Sequence, residues 1–193
     1  MDDADPKPIL ARYLRRQHEA LRWKLEGLPE RELRWPRTPT GTNLLGLVKH
    51  VASVEADYLG RCLGRPFPEP MPWTESEPDA DLFATADESV AWVLDLHDRV
   101  RDHAEASIQA LPLDAPAHVP WWGDAADTTL GRLLVHLTAE VARHAGHADI
   151  LREGIDARIG MQEGNENLPP RDGASWAEHV AMLERIAEGE PSR

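Results

Sequence analysis

His136, Glu140, His144 and His147 recur at intervals of three and four residues within the segment 129–152. At about 100° per residue, four side chains so spaced share one strip of a helix. Imidazole nitrogens and a carboxylate projecting from one helix face are what a divalent metal needs inside a helical bundle. A second candidate helix carries His50, in the run Leu44-Leu-Gly-Leu-Val-Lys-His-Val-Ala-Ser-Val-Glu. One His from that helix and two ligands from the strip would make a three-ligand site with open positions. The spacing is not His-Glu-x-x-His, so a zincin-type peptidase is not indicated.

Spacing alone leaves a second reading of each of these residues open, that of a hydrogen-bonded helix side chain. His144 projects into the apolar stripe Leu130, Leu133, Leu137, Val141, Ala148 and Leu151, with Glu140 at its edge and His136 and His147 further out. An ionised Glu at the edge of a core stripe is costly unless it is paired or holds a metal. Glu55 falls near the middle of the apolar stripe of its own helix, and a buried Glu needs a donor. It would either orient a metal-bound His through a hydrogen bond or pair with an Arg of the first or fourth helix, and the ion pair is the preferred reading. His97 falls on an apolar stripe and reads as a satisfied core histidine. His18, His103, His118 and His179 read as surface or loop residues, and Cys62 as a small buried apolar residue.

Helix signals dominate the elements that must position these groups, and strand signals are nearly absent. The first helix is expected from about Pro8 to Glu26, followed by a Pro-rich connector, Leu28 to Thr40. Thr42 or Asn43 can cap the second helix, which stops near Gly64. Residues 65–78 hold five prolines and read as a loop. The third helix begins within Asp81–Asp87 and runs to Leu111. A loop from Pro112 to Asp127 follows, then a fourth helix capped by Asp127 or Thr128 and ending near Gly154. After a polar stretch, 160–173, comes a short fifth helix around Trp176–Ala187. The expected fold is all-α, a four-helix bundle with a short fifth C-terminal helix and long loops, forming one domain over residues 1–193. The Trp residues of the loops, Trp35, Trp73, Trp121 and Trp122, could wall an apolar pocket. In an up-and-down order the Leu28–Thr40 connector and the segment after Gly154 are the expected pocket rims. Trp35 is then the expected pocket residue, and Trp121 and Trp122 are packing residues.

The chain has 193 residues and a formal net charge of −13. Nucleic acid and anionic membranes are disfavoured as partners, because phosphate contacts need clustered Lys and Arg. A single cysteine excludes an intrachain disulfide and a thiolate zinc cluster. No apolar run approaches membrane-spanning length, and the acidic N-terminus lacks a signal core, so a cytoplasmic location is expected.

With these residues in place the chain resembles the DinB/YfiT-like metalloprotein superfamily, most closely its actinobacterial mini-circle subgroup. The resemblance lies in the segments 38–55, Gly64-Arg-Pro-Phe, Val119-Pro-Trp-Trp and Thr129 through Glu140-Val-Ala-Arg-His-Ala-Gly-His. It implies a four-helix bundle holding a divalent metal by one ligand from the second helix and two, four residues apart, from the last. Those positions fall on His50, Glu140 and His144. Many relatives have His where this chain has Glu140, and Glu-x-x-x-His looks like the mycothiol-dependent maleylpyruvate isomerase branch. His147 stays as a competing ligand. Zinc is the first expectation for the metal, with nickel, iron or manganese also compatible. The resemblance implies a thiol S-transferase or isomerase that uses a low-molecular-weight thiol, such as mycothiol or bacillithiol, and an electrophile. The alternative is a metal-binding or stress-response structural protein without turnover, and a homodimer is open as the assembly.

Overall fold

The computed structural model describes residues 5–72, 77, 79–166 and 168–189, and they are mostly helical. Helix α1 spans Lys7–Trp23. Its C-terminal turn ends on a buried guanidinium: Arg152 donates to the carbonyl oxygens of Lys24 and Glu26, both at 2.8 Å. This meets the need of orphan carbonyls at a helix end for donors. The Pro-rich connector is not wholly irregular, since it holds a short helix α2, Glu30–Arg34.

Helix α3, Leu44–Tyr58, starts where the Asn43 side chain accepts from the Gly46 amide at 2.8 Å. Helix α4, Val90–Ala110, begins later than its apolar period suggests, at a Ser89 cap. The reason lies in residues 79–88, which are held as a strap across α3. The buried Lys49 ammonium donates to the Ala80 and Phe83 carbonyls and pairs with Glu88 at 2.7 Å. A Cβ on Gly46 would stand 2.0 Å from the Leu82 carbonyl oxygen, so only glycine lets the strap lie this close. Gly46, Lys49 and His50 share one face of α3 by their i, i+3, i+4 spacing.

The stretch between α4 and the next long helix also differs from the expected loop. Strand β1, Pro116–His118, pairs antiparallel with β2, Asp127–Thr129, around a 3-10 turn, Pro120–Ala125. Three-residue strands are too short to show alternation in a sequence. Thr129, one residue past the expected caps, accepts from the Arg132 amide and starts α5, Leu130–Asp156. The long helices pack α1 on α5, and α3 on both α4 and α5. Their shared core includes Leu21, Leu44, Val48, Val93, Leu133 and Leu137, all without exposed surface. Helix α6, Gly173–Ala187, has no buried residue. Among the described residues no helix is long and apolar enough to cross a membrane.

Candidate metal centre

His50 on α3 and Glu140 and His144 on α5 come together where these helices pack. One ligand atom from each lies within 4.8 Å of the others. His144 Nε2 is 2.9 Å from Glu140 Oε1, and His50 Nε2 is 3.8 Å from the same oxygen. The two imidazole rings meet edge to face, with centroids 4.7 Å apart. All three side chains are partly exposed, between 13% and 28%, so the cluster is reachable from outside.

Asp81, on the strap, accepts from His50 Nδ1 at 2.8 Å and is itself buried. With Nδ1 held by Asp81, Nε2 is the ring nitrogen that faces the Glu140 carboxylate. An imidazole nitrogen and a carboxylate that face each other are a donor pair that a cation can bridge. Electrostatics favour an ionised Glu140. Burial pushes the Glu140 carboxyl up, but the hydrogen bond from His144 and the charges of His144, His50 and His136 outweigh it and hold it below its usual range. Burial pushes His144 down, only partly countered by Glu140, so its ring is held neutral. A carboxylate and two imidazoles converging on one point are a donor set that a divalent cation takes.

Two cavities flank the cluster. The first, about 440 Å³, has His50 and Glu140 in its wall together with Val54, Tyr58, Leu82 and Trp121. His136 lines it too, its ring 4.8 Å from that of Tyr58. The second, about 490 Å³, lies on the other side of Leu82 and is lined by Thr40–Asn43, Phe83, His144 and His147.

The other residues singled out in the sequence separate here. His147 is exposed and touches the His144 ring edge to face at 5.4 Å, outside the close group. Trp35 is away from both cavities, half exposed, with the Arg31 guanidinium 4.3 Å from its ring. Trp121 lines the first cavity instead, because the β1–β2 hairpin carries it over Tyr58. Trp73 lies outside the described residues. Glu55 points away from His50. Its partner is no Arg but His18 of α1, at 3.2 Å. His18, expected at the surface, is 1% exposed, and its Nδ1 lies 3.1 Å from His97 Nε2. Burial and the charges of His18, Arg101 and Arg22 hold His97 well below its usual range. Cys62 is buried, and burial pushes its thiol up to about 11, which removes it as a nucleophile.

The sequence reading missed Asp81, Lys49 and Tyr58. Asp81 belongs to a segment without periodicity, and nothing local ties it to His50. Lys49 carries a faint signal, since a lysine directly after the apolar run Leu44–Val48 needs an acceptor.

A model of the mycothiol-S-transferase family matches residues 9–157, from α1 to the end of α5. No curated protein matches the chain.

Proposed function

The chain belongs to the mycothiol-S-transferase family, a DinB/YfiT-like family, and from that premise we propose that it joins a low-molecular-weight thiol, mycothiol foremost, to an apolar electrophile with the help of a divalent metal. The observation that carries this is the placing of His50, Glu140 and His144 in the walls of two cavities separated by Leu82. Three protein donors with open cavity beside them suit a catalytic rather than a closed structural centre. A divalent cation there would supply Lewis-acid chemistry, lowering the pKa of a thiol brought to it.

The chain's own residues do the rest. Asp81 fixes the tautomer and orientation of His50. Lys49 and Gly46 hold the strap that carries Asp81. Val54, Leu82 and Trp121 wall the electrophile side. The exposed His147 serves at the rim of the second cavity and not as a ligand. The fold that this reading assumes is the four-helix bundle of DinB/YfiT type, with the cluster between its second and last long helices.

Purified protein, loaded with zinc, should consume a chromogenic electrophile only when mycothiol or a close thiol is present. Chelation should abolish the reaction and zinc should restore it. Loaded protein that shows no thiol dependence across several electrophiles would overturn the proposal and leave a metal-binding role without turnover.

A further inference from the structure

Tyr58 closes α3 and stands in the wall of the cavity that also holds Glu140, His50 and Trp121. Its phenolic oxygen accepts two hydrogen bonds, from Trp121 Nε1 at 2.9 Å and from Trp122 Nε1 at 3.1 Å. Indole nitrogens only donate, so both protons point at that one oxygen. Its two acceptor sites are taken, and what remains is its own O–H. Among the described residues no group accepts that proton. A phenol only 8% exposed, fixed by two neighbours and lining the cavity, thus keeps a donor for which the described residues offer no acceptor.

We infer that Tyr58 is a catalytic proton donor to an electrophile whose oxygen gains negative charge as the thiol adds, such as an α,β-unsaturated ketone or an epoxide. The inference rests on the thiol-transfer reading of the site and specifies its substrate class. With an unsaturated ketone the atoms balance as follows. The thiol releases its proton to water, and its sulfur forms the new C–S bond. The C=C pair shifts, and charge moves onto the carbonyl oxygen. That oxygen takes the Tyr58 proton. The phenolate left behind is held by the two indole N–H groups, then recovers a proton from water. No oxidant or reductant is consumed. The two indoles act on the phenolate as amides act in an oxyanion hole, with donors already placed where charge appears.

The test compares two electrophiles in zinc-loaded protein, an unsaturated ketone and an alkyl halide. The halide leaves as an anion and needs no proton, so it controls for damage to the pocket. In Tyr58→Phe the rate ratio of ketone to halide should fall roughly 10²-fold, the lower end for positioned acids. In Trp121→Phe, which keeps the hydroxyl but removes one N–H, it should fall about threefold to tenfold. A ratio unchanged within about threefold in a Tyr58→Phe variant that keeps its metal and helicity would overturn the inference. If Tyr58→Phe does not fold, the Trp121→Phe ratio decides. A readout without turnover is the infrared stretch of a bound saturated ketone. It should lie lower in the wild type than in Tyr58→Phe, and equal frequencies overturn the inference. Absence of thiol-dependent turnover with either electrophile would instead overturn the reading of the site, and the infrared result would still judge Tyr58.

Discussion

Two histidine–carboxylate–histidine trios share helix α3 and differ in what surrounds them. His50, Glu140 and His144 are partly exposed and border two cavities. His18, Glu55 and His97 are each at most 3% exposed and join α1, α3 and α4. In the open trio the ligand atoms converge on one point, and an Asp outside it fixes a tautomer. In the buried trio the contacts run in a chain, Glu55 to His18 to His97, and share no centre. Residue type alone therefore does not make a metal site. Convergence and access set the candidate site apart, and both depend on where each residue lies along its helix. The five-residue step from His50 to Glu55 turns one to Glu140 and His144 and the other to His18 of α1.

The largest effect should come from the buried trio. Glu55→Ala leaves His18 and His97 without their carboxylate in the core and should cost about 3–5 kcal/mol in urea unfolding. Glu140→Ala, in metal-free protein, should change stability by less than about 1 kcal/mol because its surroundings stay hydrated. Equal losses would erase the contrast between the two clusters. Added metal should narrow the gap between the two trios. A cation that binds only the folded state adds about 2.7 kcal/mol at a hundredfold excess over Kd. Chelation should lower the melting temperature and leave the helical circular dichroism intact, since the apolar core does not depend on the metal. Asp81→Asn should weaken metal affinity by about 10–100-fold, read by competition with a chromophoric chelator, while keeping the stoichiometry.

The smallest effect is a pH dependence. His97 is neutral in the folded chain because burial holds its pKa well down, whereas in the unfolded chain it protonates near pH 6.5. The unfolded state then binds more protons below that pH. Stability contributed by His97 is complete above about pH 7 and is lost as pH falls through 6.5, by roughly 1.4 kcal/mol per unit. Urea midpoints at pH 7.5 and 5.5 should show the loss, and His97→Gln should flatten it.

Much of this arrangement is legible in the sequence, within limits that have physical causes. A four-residue step puts Glu140 and His144 on one strip, and their atoms do meet at 2.9 Å. The Asn43 cap and the apolar stripes are local signals, and local signals suffice to place the long helices. Glu55 stands out as a carboxylate in an apolar stripe, but its partner is on another helix, and helical period says nothing about which face of α1 it meets. His18, expected at the surface, is that partner and is found in the core. Asp81 and Trp121 reach the site on a strap and a hairpin whose positions depend on tertiary contacts, the Lys49 bonds and the close approach at Gly46. Trp121 crosses Tyr58 only because 116–129 fold as a hairpin, and strands of three residues leave no period in the sequence to set Trp121 above Trp35.

The most direct test is the metal content of purified protein and of two variants, one from each trio, by elemental analysis. Wild type and His97→Gln should each hold about one divalent ion per chain, and His144→Ala should hold almost none while staying helical. Full occupancy in His144→Ala, or loss of the metal in His97→Gln with its helicity intact, would contradict the assignment of the open trio as the metal centre.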